Sequence, residues 1–315
     1  MPVDQFIIFF LLLLVGFLCR KKGVFSDSAV NGINTFVVNV AFPCLILVRT
    51  ASLNMDGRIF ISFILTLIIS LGLFLLFAAY ARLYCIGSRF PEEDKPVVEF
   101  AIFSPNNGFM GLPVATMFFG DIGLLYMIGC NVALNFVFFT YGISLMKRGR
   151  ELRSDSVKSV LKKLLFMIVQ PKVSAAIAGI VLCYLHITLP QLANTFLNTV
   201  GAVATPMAMI SIGTLLAGNF GLRSFRKRPV MEPVINKLIV IPLLTILIVW
   251  FLPVDPLVKS IIIISNTMPI ATTVPILSEQ YGRNKGLAGE ALVVSTIFSM
   301  ATIPLVIFVL GFISF

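Results

Sequence analysis

Ten apolar runs follow one another along this chain, at roughly 4–19, 29–48, 59–81, 97–119, 122–146, 172–187, 192–217, 231–252, 257–280 and 287–313. A helix needs about 20 apolar residues to cross the hydrocarbon core of a bilayer. Most of the runs have that length. A membrane β-barrel would instead alternate polar and apolar residues over segments of about ten. Hydrocarbon offers no partner to backbone N–H and C=O groups, so only helices and closed barrels span it. The expected fold is therefore an all-α polytopic membrane protein of ten transmembrane helices. Composition agrees: 58% of the 315 residues are hydrophobic and 12% charged, where a soluble domain carries about 25% charge. No stretch is polar enough for a separate soluble domain, so residues 1–315 read as one membrane domain.

The net charge of +10 reads as topology rather than as affinity for nucleic acid. The connections after runs 1, 3, 5, 7 and 9 hold 20 Lys and Arg, those on the other side only Arg49, Arg58 and Lys259. Cytoplasmic loops carry the excess, which places both termini outside the cell membrane. The longest polar connection, Lys147 to Lys163, could include a basic amphipathic helix at 157–168 lying in the interface, or could simply lead into run six. A cleavable signal peptide is not expected, because Arg20, Lys21 and Lys22 follow the first apolar run. The five cysteines are scattered, without C-x-x-C spacing, and indicate neither a disulfide frame nor a metal site.

Ten divides into five plus five. At an offset of 162, Pro113 meets Pro275, Gly120 meets Gly282 and Ser104 meets Asn266. An odd number of spans per repeat inverts the second copy, so 1–146 and 172–315 are expected as an inverted-topology repeat.

Runs four and nine are broken near their middles, by Phe103-Ser-Pro-Asn-Asn-Gly-Phe-Met-Gly-Leu-Pro113 and Ser265-Asn-Thr-Met-Pro-Ile-Ala-Thr-Thr-Val-Pro275. Irregular backbone at membrane depth survives where it lines a protein-walled cavity. Pro105 and Pro269 would end the first halves, while Pro113 and Pro275 suit the first turns of the second halves. The restarted halves would bring two helix N-termini to mid-membrane from opposite faces. Each carries roughly +0.5 of an elementary charge and unpaired N–H groups, which together suit an anion without any buried Arg or Lys. Candidate substrate contacts are Ser104, Asn106, Asn107, Gly108, Asn266, Thr267, Thr272 and Thr273, with Asn39 of run two; Gly108 and Gly111 let backbone approach a ligand. The alternative is that the prolines only kink these helices and the amides repair exposed backbone. Asn131 and Asn135 share a helix face; they could face the site, but bonding between helices is the expected role.

Glu99, Lys237 and Glu290 lie within spans, in their cytoplasmic halves, and are candidates for coupling to protons or sodium, or else structural pairs. His186 sits at an outer loop edge. No P-loop motif is present, and one histidine excludes an H-E-x-x-H metalloprotease. Neither an enzyme nor a cofactor-binding protein is indicated.

The Ser104-Pro-Asn-Asn-Gly-Phe-Met-Gly-Leu-Pro113 and Pro269-Ile-Ala-Thr-Thr-Val-Pro-Ile-Leu-Ser-Glu-Gln-Tyr-Gly282 stretches, with ten spans and a charged central loop, resemble the auxin efflux carrier family, most of all its bacterial malate and malonate permeases. The fourth span is similar to the Asn-Pro-Asn crossover of plant PIN carriers, with Ser104 in place of the first Asn. The long cytoplasmic loop of many plant members is missing. The resemblance implies a crossover fold, a scaffold of spans 1, 2, 6 and 7, and a transport unit of spans 3–5 and 8–10 moving like an elevator. It implies a secondary carrier for a small carboxylate, with the bilayer, a coupling ion and a second copy of the chain as partners and no nucleic acid. A sodium-coupled symporter of the bile-acid type, or a receptor that binds a small molecule without moving it, are the alternatives.

Overall fold

The computed structural model describes residues 3–149, 169–217 and 222–312. The interfacial helix considered at 157–168 lies outside them. The described residues are helical nearly throughout, and their only β-type pairing is a single antiparallel bridge between Pro105 and Ile270.

Six helical stretches are, by length and composition, long and apolar enough to cross a membrane: Asp27–Ala51, Gly57–Ile86, Asn107–Lys147, Gln191–Leu216, Arg228–Trp250 and Lys285–Gly311. Pro171–Tyr184 and Pro256–Thr267 are shorter apolar helices. Asn107–Lys147 has 41 residues, about twice what one crossing needs. Gly120 divides it, with φ 65° and ψ −156°, a conformation that a side chain would strain.

Three helices contain a wide π-turn just before a proline. Val37–Ala41 precedes Pro43, Asn107–Gly111 precedes Pro113, and Asn236–Val240 precedes Pro242. Proline lacks N–H and clashes with the carbonyl four residues back; the wider turn accommodates both defects without ending the helix. Pro113 therefore does not mark the restart of its helix, which begins at Asn107. Pro275 does sit in a first turn, third in Thr273–Gln280.

Close helix packing repeats at a fixed spacing. A Cβ added at Gly16 would lie 2.0 Å from the Ile210 carbonyl oxygen, and one at Gly179 would lie 3.1 Å from that of Leu47. Gly179 follows Gly16 by 163 residues, and Ile210 follows Leu47 by the same 163. Thus Val3–Lys21 packs on Ala204–Leu216 as Pro171–Tyr184 packs on Phe42–Ala51. These helices, with Gln191–Ala202, form one packing group. The other gathers Gly57–Ile86, Lys95–Phe103 and Leu112–Val137 with Arg228–Ile235, Pro256–Thr267, Thr273–Gln280 and Lys285–Phe312.

Candidate functional site

The Lys95–Phe103 helix ends at Ser104 and the Pro256–Thr267 helix at Met268, both in extended conformation. The two released strands of chain cross. Asn106 N–H donates to the Pro269 carbonyl at 2.8 Å, and Ala271 N–H donates to the Ser104 carbonyl at 2.9 Å. Each break thus satisfies backbone groups that the other exposes, where an unpaired one would cost about 1–3 kcal/mol. Between these bonds Pro105 faces Ile270. Pro105 has no N–H to satisfy; Ile270 has one and donates it to Ser295 Oγ at 3.1 Å.

This exchange relates Ser104 to Pro269 and Asn106 to Ala271, an offset of 165. The sequence register of 162, which set Ser104 against Asn266, holds only farther on, where Gly120 (φ 65°) and Gly282 (φ 63°) end the restarted helices. The stretch from the paired segment to the glycine is thus longer by three residues, close to one turn, in the first copy, whose restarted helix contains the π-turn.

Beside the crossing lies a cavity of about 590 Å³. Asn39, Pro105, Asn106, Gly108, Thr272 and Thr273 line it, brought together from three distant segments. Phe109, Phe138, Phe139, Leu134 and Ile276 make its apolar walls. The first N–H groups of a helix have no partner within that helix, and here both restarted helices begin at this cavity. Thr273 Oγ1 is buried and has no hydrogen-bond partner among the described residues.

Ser104, Asn107, Asn266 and Thr267 do not line the cavity. All four are fully buried behind the crossing. The Asn107 amide donates to Ser265 Oγ at 2.7 Å, which ties the two broken segments together. Asn266 and Thr267 bond back to the carbonyls of Ile262 and Ile263. Pro113, Pro269 and Pro275 also stand off the cavity and shape the chain.

The polar lining also includes Asn131, Asn135, Gln170 and Lys172, none of them among the candidate contacts; three of these matter most. Asn135 donates to Asn131 Oδ1 at 3.0 Å, a bond within one helix rather than between helices, and both amides face the cavity. The third is Lys172, second residue of Pro171–Tyr184. Its ammonium donates to the Gly108 carbonyl at 3.2 Å and stands 4.4 Å from the Phe42 ring centre. Among the described lining residues Lys172 carries the single formal charge; no carboxylate accompanies it. The site expected to lack Arg and Lys therefore holds a cation.

The coupling candidates lie elsewhere. Glu99, 0% exposed, accepts from Tyr141 and from Arg148 at 2.9 Å; it borders a second cavity of about 740 Å³ with Arg82, Lys95 and Arg283. Glu290 pairs with Lys227 at 2.6 Å. Lys237 is 0% exposed, and its ammonium has no hydrogen-bond partner among the described residues. His186 is exposed, in a left-handed turn at φ 53°.

The profile of the family described as membrane transport protein matches residues 3–307. The chain belongs to this membrane transport family. It is the family of the auxin efflux carriers that the crossing motifs resemble. An uncharacterized transporter of Methanocaldococcus jannaschii is 26% identical over 313 residues, 96% of this chain and 97% of its own. One from Methanothermobacter thermautotrophicus is 24% identical over 294 residues, 93% of each. A Rhizobium meliloti protein provisionally named a malonate transporter is 25% identical over 309 residues, 94% of this chain and 91% of its own. Members of this membrane transport family are integral membrane proteins and transporters, not enzymes.

Proposed function

We propose that this chain is a secondary carrier for a small organic anion, a mono- or dicarboxylate such as malate or malonate. One observation carries the reading: a cavity where two helix starts and the Lys172 ammonium converge with no carboxylate among the described lining. Taking a carboxylate out of water costs several kcal/mol. Each helix start returns about 0.3–1 kcal/mol, up to about 2 when partly buried. Those alone fall short. Charged hydrogen bonds from Lys172 and the Asn106 amide, at about 1.5–3 kcal/mol each, close the gap. The name of the Rhizobium relative supports the same substrate class.

The carrier is a ten-span protein of two inverted five-helix repeats, 1–146 and 172–315, with spans four and nine crossing at the cavity. The 163-residue spacing of the glycine contacts supports the repeat. The two packing groups correspond to a scaffold and a transport unit that slides against it, the elevator form of alternating access. Phe138, Ile143, Gln170 and Ile276 border the cavity, all in the cytoplasmic half under the charge-based orientation.

Reconstituted protein should accumulate labelled malonate or malate by counterflow in liposomes loaded with the unlabelled acid, whichever sodium gradient is imposed. Binding of the acid without counterflow would make the chain a receptor. Counterflow that requires sodium would make it a symporter of the bile-acid type.

A further inference from the structure

Among the described lining residues, the one charge comes from outside both broken segments. Lys172 and Phe42 belong to one packing group, Gly108 and Phe109 to the other. The Lys172 ammonium bonds the Gly108 carbonyl at 3.2 Å and lies 4.4 Å and 5.5 Å from the ring centres of Phe42 and Phe109. A Cβ placed on Gly108 would be 3.6 Å from the same nitrogen, so nothing stands between them. This contact therefore bridges the two groups at the restarted helix's first turn. Its partners, a neutral carbonyl and two ring faces, are weak ones for a full charge. The bond to Gly108 has charge on the donor side alone; a carboxylate would add a direct attraction between opposite charges.

We propose that Lys172 is a substrate-released latch. With the cavity empty, its ammonium holds the Gly108 turn against the Pro171–Tyr184 helix. An entering carboxylate takes the ammonium as its own partner, frees the Gly108 carbonyl, and unlocks one packing group from the other. The binding half of this inference rests on the carrier reading above. The empty-state half does not.

The test uses full-length wild type, Lys172→Gln and Lys172→Arg in lipid nanodiscs. Malonate affinity is measured by thermal shift, and hydrogen exchange of residues 104–112 is measured without ligand. Lys172→Gln should weaken malonate at least tenfold and raise exchange at 107–112 in the empty protein several-fold. Lys172→Arg, which keeps the charge but not the shape, should restore both; a packing role would not be restored. Should the Gln variant fail to fold, Lys172→Met, which keeps the aliphatic stem between the rings, carries the same test. Unchanged malonate affinity in Lys172→Gln, or unchanged exchange in its empty form, overturns the latch. Wild type that no malonate concentration stabilises counts against the carrier reading, and the exchange arm still decides the latch.

Discussion

Asn106 donates its backbone N–H to the Pro269 carbonyl at 2.8 Å, so its contribution to the crossing uses no side-chain atom. The side chain is left to line the cavity. The neighbouring Asn107 divides its labour the other way, with its amide spent on Ser265. Two adjacent amides thus face opposite ways, one toward the cavity and one into the fold.

Asn106→Ala keeps both crossing bonds and removes only the cavity-facing amide. Carboxylate counterflow should fall at least tenfold, since one charged hydrogen bond is worth about 1.5–3 kcal/mol. Stability against denaturant should fall less than in Asn107→Ala, because both crossing bonds are kept. Wild-type counterflow in this variant would remove Asn106 from the site.

Asn107→Ala should do the reverse. Asn107 is fully buried and its bond to Ser265 joins the two broken segments at 2.7 Å. Its loss leaves the Ser265 hydroxyl without this donor, at a cost of about 1–3 kcal/mol. Unfolding in detergent should register that cost, while the affinity of the folded fraction for malonate stays near wild type. Unchanged stability with lost affinity would move Asn107 into the binding site.

Helix contact by glycine gives a sharper steric expectation. A methyl group at Gly16 would sit 2.0 Å from the Ile210 carbonyl oxygen, which is backbone and cannot turn aside. Gly16→Ala should cost about 1–3 kcal/mol, as overpacking generally does. Gly108→Ala meets its nearest neighbours at 3.6 Å and should fold normally. The two variants compared by thermal unfolding check the assignment; equal stability would refute the close packing.

The breaks were legible because proline and amides are expensive at membrane depth, and few explanations other than a crossing justify two such segments. Which amide faces the cavity was not legible. Polar residues at a break either meet a substrate or repair backbone, and sequence spacing does not separate Asn106 from Asn107. The register shifts by three residues because the first restarted stretch is longer by close to one turn, of which its π-turn accounts for about one residue, and such insertions leave little sequence signal. By position Lys172 is one of the 20 basic residues of the cytoplasmic connections, so in the sequence it reads as a topology signal. One clue was available: a cation in the first turn opposes the helix dipole, so the Gln170-Pro171-Lys172 start is unfavourable unless Lys172 has a partner elsewhere. The partner, Gly108, is 64 residues away in sequence and emerges only from packing.

Lys237 poses the remaining energetic question. It is 0% exposed within the Asn236–Val240 π-turn, and its ammonium has no hydrogen-bond partner among the described residues. Its neighbour Asn236 is secured, by the Tyr80 hydroxyl and by its own bond to the Glu232 carbonyl. The turn thus holds Lys237 inside rather than letting it reach the headgroups. An isolated buried charge is among the most costly features a fold can keep. Met has similar length and no charge to desolvate. Lys237→Met should therefore raise stability by at least about 1 kcal/mol, the lower end of what replacing buried ionic groups with apolar ones yields. A group retained at such a cost is expected to serve transport, so malonate counterflow by the variant should fall even as its unfolding midpoint rises. A variant less stable than wild type would show that Lys237 is a structural element of the bundle and not a functional charge.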